Sequence, residues 1–326
     1  AMIIALGVWS GSAVGKPESS MSESMRCAAF SPYVDGYNPN TGPHPPPALI
    51  DALLEAQVQR LGFRCIMTYG MLNGLDYTFA AAQARGVKVI AVIWLDTDPA
   101  VNAASIAAGI LNAKLYPESI IRLACGSEVR TRHGAAVAEP IIRDCISQVK
   151  AAGVAQPVTS IDTWWGWCNE AWPCQSWSLV ADVDWIGANI FPWWENKYSG
   201  LFPCTPAAAA ADFHLARLQD LAARYPDKSV MMTEFGWPAG PDGYTETNLH
   251  TGDQCGVASE GNQRLVVEQT LAKLGQAAHS GTLFEVFRED WKSTAEGAVG
   301  PYWGVCQGSP PYPCAAPYGM EHRLYL

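Results

Sequence analysis

Charged side chains are scarce in this chain, and basic ones are the scarcest. They form 16% of the 326 residues, with 21 Lys and Arg against 31 Asp and Glu, and the formal net charge is −10 at pH 7. Nucleic acids and anionic membranes are bound through basic surfaces that neutralise phosphate groups. The charge balance therefore argues against both as partners, whereas a neutral polymer would meet no such repulsion.

The sequence also lacks the motifs of several common chemistries. It has no GxGxxG or phosphate loop for a nucleotide, no GxSxG elbow for a serine hydrolase, and no HExxH or Cys/His spacing for zinc. Its six His are scattered, and His133 is better explained as a surface-loop residue than as a cleft residue. No run approaches the roughly 20 apolar residues of a membrane-spanning helix. We therefore expect no metal, no organic cofactor and no membrane span.

Cysteine, by contrast, is abundant, with ten residues. Cys168 with Cys174, and Cys306 with Cys314, are close pairs in loops rich in Pro and Gly, and disulfides account for them. Because disulfides persist in oxidising compartments, the sequence predicts a secreted protein, extracellular or periplasmic. Three others fall at apolar strand positions and could be buried thiols: Cys27, Cys65 and Cys125.

Aromatic residues are plentiful too, with 13 Trp and 12 Tyr. Several Trp cluster outside the strand patterns, between positions 164 and 177 and again at 193–194. Packing beneath long loops is one explanation. The other is that flat rings in a cleft stack on the apolar faces of sugars, and the position of these Trp on loops, which often carry function, favours it.

Short apolar runs alternate with helical stretches along the chain, which is typical of parallel strands joined by helices. Eight runs are predicted strands: 27–31, 65–69, 87–95, 120–125, 157–161, 183–190, 229–233 and 283–287. Five stretches are predicted helices: 45–61, 76–85, 140–152, 205–225 and 259–279. The pattern predicts an α/β fold, a (β/α)8 TIM barrel, as a single catalytic domain over residues 27–326. Residues 1–26 are predicted to form an extension outside it, and an open doubly wound sheet is the main rival fold.

Two acids end predicted strands and are candidates for paired catalysis. Glu128 follows strand four, although it could also start a helix or pair with a nearby Arg. Glu234 ends strand seven beside Phe235 and Trp237, where a carboxylate is costly to bury without a purpose. Strands four and seven face each other across a barrel mouth. Carboxyls about 5–5.5 Å apart give retention in glycoside cleavage and about 6.5–9.5 Å give inversion, and sequence spacing leaves both open.

Five segments, in this order, resemble glycoside hydrolase family 17, the β-1,3-glucanases and β-1,3-glucanosyltransferases: 30–36, 126–129, 184–194, 233–238 and 284–292. The resemblance implies a retaining enzyme in which Glu234 is the nucleophile and Glu128 the acid/base. It also implies that Glu289 and Lys292 lie near the donor-side subsites, with Glu296 as a companion.

The resemblance further implies that Tyr33 and Tyr69 line the floor of the cleft. Two positions depart from the broader pattern. Ser127 replaces the Asn that holds the sugar 2-hydroxyl in most of the wider clan, and Phe191 replaces a Tyr of the plant-type members. Phe191 leaves the nucleophile without one hydrogen bond, which Tyr33 or Tyr69 could supply. The remaining predicted sugar-binding residues are Asp162, for which a turn-forming role is equally open, and Trp164, Trp193 and Trp237.

Three functions follow from these residues. The first is a retaining hydrolase of β-1,3-glucan. The second is a β-1,3-glucanosyltransferase, which passes the same glycosyl-enzyme to a sugar instead of water. The third is a non-catalytic barrel that only binds glucan. The expected partner is β-1,3-glucan or its laminari-oligosaccharides, and a monomer is expected.

Overall fold

The computed structural model describes residues 25–314. Residues 1–24 of the predicted extension, and residues 315–326 of the predicted domain, lie outside this range. Arg26, which the sequence assigned to the extension, is the first residue of the first strand. The barrel therefore begins one residue earlier than predicted.

Seven of the barrel strands overlap the predicted runs closely, the eighth is shifted, and two short strands were not predicted. In chain order they are β1 (Arg26–Ala29), β2 (Cys65–Thr68), β3 (Lys88–Ile93), β4 (Ile120–Ser127), β5 (Val158–Thr163), β6 (Trp185–Asn189), β7 (Ser229–Phe235), β8 (Glu246–Thr247), β9 (Gln254–Cys255) and β10 (Gly281–Leu283). Eight of them form a closed barrel in the order β1-β10-β7-β6-β5-β4-β3-β2, and β8 and β9 form a separate antiparallel pair. The (β/α)8 TIM barrel is confirmed, and the open sheet is excluded.

Helices connect the barrel strands. They are α1 (Pro47–Leu61), α2 (Tyr77–Ala84), α3 (Pro99–Leu115), α4 (Val129–His133), α5 (Ala135–Ala151), α6 (Trp164–Trp167), α7 (Pro192–Tyr198), α8 (Ala207–Arg224), α9 (Glu260–Gln276) and α10 (Ser293–Glu296). The end of α1 is set by Gly62, whose φ of 71° lies in the left-handed region that glycine adopts without strain. Within residues 25–314, no helix is long and apolar enough to cross a membrane.

Several elements differ from the prediction, since α3, α4, α6, α7, α10 and the pair β8–β9 were not predicted and two predicted elements have other bounds. Helix α5 begins at Ala135, before the predicted start at Pro140, because Gly134 turns the chain there; Pro140 lies inside the helix. The predicted eighth strand, 283–287, overlaps the barrel strand only at Leu283. Beyond it the backbone still bonds to both neighbouring strands, since Phe284 N donates to the Phe235 carbonyl at 2.8 Å and Val286 N to the Ala29 carbonyl at 3.2 Å. It also bonds to a later segment, because Val305 N donates to the Glu285 carbonyl at 3.1 Å.

The disulfides correct one part of the sequence analysis. Five are present among the described residues: Cys27–Cys65, Cys125–Cys145, Cys168–Cys174, Cys204–Cys255 and Cys306–Cys314. The pairs 168/174 and 306/314 are confirmed. The alternative of buried thiols at Cys27, Cys65 and Cys125 is wrong. The adjacent strands β1 and β2 place Cys27 beside Cys65, and Cys145 of α5 packs against Cys125 of β4.

Candidate active site

A cleft of about 550 Å³ opens at the carboxyl ends of the barrel strands, the face where barrel enzymes hold their active sites. Its lining comes from the ends of β1, β2, β3, β4, β7 and β10 and the segments that follow them. Both predicted acids, Glu128 and Glu234, belong to it. It also contains these residues predicted from the sequence: Tyr33, Tyr69, Ser127, Glu289, Lys292 and Glu296.

Glu234 lies at the end of β7 and is almost fully buried, with 6% of its surface exposed. The Tyr69 hydroxyl donates a hydrogen bond to its Oε1 at 2.8 Å. Tyr33 contacts a different residue, His44, at 3.3 Å. Of the two tyrosines considered from the sequence, Tyr69 is therefore the one that holds this carboxylate.

Glu128 follows β4 directly and remains partly exposed to the cleft. Its backbone adopts a φ of 54°, a left-handed conformation that is uncommon for a residue with a side chain and that occurs often at functional sites. Its backbone N–H donates to the Ile161 carbonyl of β5 at 2.8 Å, which fixes this turn against the neighbouring strand. The carboxyl therefore has a defined position at the barrel mouth.

Asn189, at the end of β6, connects Glu128 to Thr233, the residue before Glu234, and was not predicted from the sequence. Its Nδ2 donates to Glu128 Oε1 at 2.8 Å, and its Oδ1 accepts a hydrogen bond from Thr233 Oγ1, also at 2.8 Å. Thr233 directly precedes Glu234 on β7. An amide at the end of a buried apolar strand was the available signal, because such a group needs polar partners.

One lysine and three glutamates form a charged cluster beside the acids. Lys292 Nζ lies 2.8 Å from Glu289 Oε2 and also contacts Glu285 Oε2, and all three side chains are buried. The Ser31 hydroxyl donates to Glu289. Burial raises the pKa of Glu296, and the nearby charge of Lys292 opposes the shift. Glu285, which the sequence analysis did not select, thus completes the ion pairs of the predicted Glu289 and Lys292.

Both acids have raised pKa values, and the charge of Glu128 opposes the ionisation of Glu234. Burial raises the pKa of Glu128 from 4.5 to about 7, although the hydrogen bond from Asn189 opposes the shift. Burial also raises the pKa of Glu234 well above its usual range, and the charge of Glu128 raises it further. Tyr69 and Lys292 act in the opposite direction on Glu234. The pair is therefore expected to retain one proton near neutral pH.

Two other predicted residues lie in the cleft wall. Tyr33 is nearly buried, and burial together with the charge of Glu289 raises the pKa of its hydroxyl to about 12, so it stays protonated. Ser127 is 5% exposed, and its backbone carbonyl accepts a hydrogen bond from Arg132 at 3.3 Å. Both can offer a hydroxyl to a sugar.

Asp162 lies outside the cleft lining and is fully buried. Its carboxylate accepts hydrogen bonds from Arg130 N at 3.2 Å, Thr131 Oγ1 at 2.7 Å and Thr163 N at 2.9 Å. The turn-forming alternative is the correct one. By binding the first turn of α4, Asp162 holds the segment that carries Glu128.

Trp164, Trp193 and Trp237, predicted to bind sugar, are packing residues instead. Each is at most 1% exposed, and none lines the cleft. Trp164 donates from Nε1 to Glu195 at 2.9 Å, and the rings of Trp193 and Trp237 pack edge to face at 5.1 Å. Packing, which the sequence left open as the alternative, therefore accounts for these three rings.

The aromatic lining of the cleft comes from other positions. Tyr33, Tyr69, Trp94, Phe284 and Trp291 lie in its walls. Trp94 and Trp291 were not among the predicted binding residues, because each stands alone rather than in a cluster. Their position directly after β3 and soon after β10 was the available signal.

Comparison with known proteins identifies the family of this chain. The family model for the BtgE/BtgC glycoside hydrolase domain matches residues 28–304. "Probable beta-glucosidase btgE" from Aspergillus clavatus is 24% identical over 257 residues, which cover 77% of this chain and 41% of the relative. The chain thus spans about two fifths of the length of this relative.

Solved structures show the same fold. A glycoside hydrolase family 17 β-1,3-glucanosyltransferase from Rhizomucor miehei is 19% identical with a TM-score of 0.65, over 90% of this chain and 98% of that one. An active-site mutant of that enzyme is known in complex with laminaritriose. An endo-laminarinase from Formosa Hel1_33_131 is 16% identical with a TM-score of 0.72, over 87% of this chain and 83% of that one.

Proposed function

The chain belongs to the BtgE/BtgC glycoside hydrolase family, and from this premise we propose that it cleaves β-1,3-glucan by double displacement, with Glu234 as nucleophile and Glu128 as acid/base. The observation that carries the proposal is the pair itself. Two carboxyls end opposite strands of the barrel, line one cleft and are linked through Asn189 and Thr233.

The surroundings of Glu234 suit a nucleophile. The Tyr69 hydroxyl donates to its Oε1, and the positive charge of Lys292 favours its ionised form. Its low exposure limits competing hydrogen bonds from water. Burial and the charge of Glu128 raise the pKa of Glu234, so the attacking form arises when the proton of the pair resides on Glu128. The ionised Glu234 carboxylate, poorly hydrated and held in one orientation, can then attack an anomeric carbon.

The surroundings of Glu128 suit an acid that later acts as a base. A pKa raised to about 7 lets this carboxyl give and take a proton near neutral pH. In the first step it protonates the glycosidic oxygen while Glu234 attacks the anomeric carbon, the C–O bond breaks, and a glycosyl-enzyme forms. In the second step the Glu128 carboxylate takes a proton from water or a sugar hydroxyl, which attacks the same carbon and releases Glu234.

The choice of a neutral β-1,3-glucan rests on charge and on the relatives. A net charge of −10 and a cleft rich in carboxylates disfavour anionic polymers. The family 17 neighbour binds laminaritriose, and the Formosa neighbour is an endo-laminarinase. The five disulfides support the proposal that the protein works outside the cytoplasm.

Purified protein incubated with laminarihexaose tests the reaction. We expect products whose anomeric proton signals first appear in the β configuration, as retention requires, with Glu234→Gln protein as the inactive control. Cello-oligosaccharides of equal length serve as the linkage control and should stay intact. An initial α product, or cleavage of the β-1,4 series alone, would contradict the proposal.

The same reaction separates hydrolase from transferase. The transferase alternative has support from the Rhizomucor miehei neighbour, which is a β-1,3-glucanosyltransferase. Products longer than laminarihexaose would establish transfer to a sugar. A ladder of shorter products alone would leave water as the acceptor and exclude transfer under those conditions.

A further inference from the structure

The side chain of Arg130 is a buried cation to which no role has been assigned above. Arg130 lies two positions after Glu128, in α4, and only 4% of its surface is exposed. A helix of five residues is too short to be stable alone, so contacts from outside it must hold α4 in place. Asp162 binds the backbone of α4, and the Arg130 side chain makes a second attachment of a different kind.

The guanidinium of Arg130 is held by the segment 164–177, which begins with α6. Nη1 donates to the Gly166 carbonyl at 3.0 Å, and Nη2 donates to Asn169 Oδ1, also at 3.0 Å. Nε lies 3.4 Å from Glu170 Oε1, and the guanidinium carbon lies 4.6 Å from the centre of the Trp177 ring. A planar guanidinium that is bonded along its edge and stacked on its face has one defined position.

Contacts of its own fix the segment 164–177 to the barrel. The disulfide Cys168–Cys174 closes its middle part. The rings of Trp167 and Trp177 pack together at 5.0 Å, and Trp167 Nε1 donates to the Gly187 carbonyl of β6 at 2.7 Å. The segment is therefore a support to which α4 is attached through a single side chain.

We propose that Arg130 is a positioning residue for the acid/base, because its side chain attaches α4, and with it Glu128, to the segment 164–177. The proposal rests on the proposed function and extends it to a residue outside the cleft lining. The Glu128 carboxyl must meet the glycosidic oxygen as the bond breaks, and an error of about 1 Å in such a position can cost about 100-fold in rate. Loss of the attachment therefore slows proton transfer without weakening the binding of sugar.

Arg130→Lys tests this role, because lysine keeps the charge but lacks the planar fork that bonds two acceptors at once. On laminarihexaose we expect kcat to fall about tenfold, with KM changed by less than about twofold. On an aryl β-laminaribioside whose leaving group needs no proton, the initial burst of released phenol should stay within about twofold of the wild-type rate. A residue that only supports the fold would slow both substrates equally.

The same substitution in the Glu128→Ala protein gives a second readout. If Arg130 acts through Glu128, Arg130→Lys should cause no further loss of kcat once that carboxyl is absent. Two independent and additive losses would overturn the positioning role.

Two more variants cover poor folding and loss of any arginine. Asn169→Gly removes the acceptor of Nη2 without strain, because Asn169 has a φ of 52°, and it should lower kcat on laminarihexaose about threefold even if Arg130→Lys folds poorly. Arg143→Lys is the matched control. Arg143 belongs to α5 and binds Ser178 and Asp182 instead of the segment 164–177, so kcat should stay unchanged.

The outcomes distinguish the positioning role from the proposed function. If Glu128→Ala abolishes turnover of laminarihexaose but Arg130→Lys and Asn169→Gly leave kcat unchanged, the positioning role is wrong and the proposed function stands. A loss in Arg143→Lys as large as that in Arg130→Lys would also exclude a local effect. If Glu128→Ala turns over laminarihexaose as fast as the wild type, both proposals fall together.

Discussion

Glu128 and Glu234 are contacted by different groups, and this difference makes their proposed roles separable. Glu128 accepts a hydrogen bond from an amide and stays partly exposed, whereas Glu234 accepts one from a phenol and is nearly buried. A partly exposed acid can exchange protons with a water or sugar acceptor. A buried carboxylate that faces the anomeric carbon is better placed to form a covalent bond.

Alanine variants of the two acids should respond differently to azide. Loss of the general acid at Glu128→Ala should lower turnover of a natural glycoside by about 10²–10⁴-fold, but less for an aryl glycoside whose leaving group needs no proton. Azide should then accelerate the Glu128 variant and give a β-glycosyl azide. An α-glycosyl azide from this variant would show that the two roles are reversed.

Asn189 should tune the acid/base through its hydrogen bond. A donor that contacts the charged carboxylate lowers its pKa, so Asn189→Ala should raise the pKa of Glu128 above its value of about 7. The acid form then persists to higher pH, and the basic limb of kcat/KM should move up by about one pH unit.

Thr233→Val is the matched control for that experiment. It removes the contact to Asn189 Oδ1 but leaves the donor to Glu128 in place, so its pH profile should shift less. An unchanged basic limb in Asn189→Ala would show that the amide only supports the fold.

Single residues were predictable where they ended a strong strand pattern. Glu128 and Glu234 were found in this way, and the resemblance to family 17 supplied their partners Glu289 and Lys292. Trp94 was missed because it stands alone in the sequence, and Asn189 because its contacts to Glu128 and Thr233 form only in the folded barrel. The prediction that the tryptophan clusters bind sugar was wrong, because consecutive aromatic residues on a loop can turn inward and pack on one another.

At the scale of elements, the short 3₁₀ helix Asp290–Lys292 and the segment after β10 are joined by buried charge. Lys292 faces both Glu285 and Glu289, and burial alone would lower its pKa. The charges of the two glutamates outweigh burial and raise that pKa instead. The lysine is therefore charged, and its removal would leave the buried Glu285 and Glu289 without a positively charged partner.

Lys292→Met should consequently destabilise the protein by about 3–5 kcal/mol, because two buried glutamates lose their ion pair. Urea unfolding at pH 7 measures this. Lys273→Met is the control, since its partner Asp212 is largely exposed and the change should stay within about 1 kcal/mol. Equal effects of the two variants would contradict the buried pairing.

The elements themselves were largely predictable because periodicity reports burial directly. Seven of the eight barrel strands were located closely and the eighth was predicted too late in the chain, while the end of α1 at Gly62 followed from the glycine. The disulfides between strands β1 and β2 and between β4 and α5 were not predicted, because residues 38 and 20 positions apart meet only once the barrel has closed.

For the whole molecule, the buried carboxyl of Glu128 in the cleft is expected to lower the free energy of unfolding near neutral pH. The folded-state pKa of Glu128 is about 7, above its ordinary value of 4.5. Between these values the folded protein keeps a proton that the unfolded chain has released. The free energy of unfolding should therefore fall as the pH rises from 4.5 through about 7.

Glu128→Gln removes this titration and should change the pH dependence. The variant should match the wild type near pH 4, where the acid is protonated in both states, and exceed its stability by about 1–3 kcal/mol at pH 8. Urea unfolding at both pH values measures the difference. A variant less stable than the wild type at pH 8 would contradict the raised pKa.

Trapping of the glycosyl-enzyme tests the central claim most directly. A 2-deoxy-2-fluoro laminaribiosyl fluoride should react with the protein and then turn over slowly, because the fluorine disfavours the second step. Peptide mass spectrometry should find the added disaccharide on Glu234. Attachment to another residue, or release of an inverted sugar without any covalent adduct, would contradict the account.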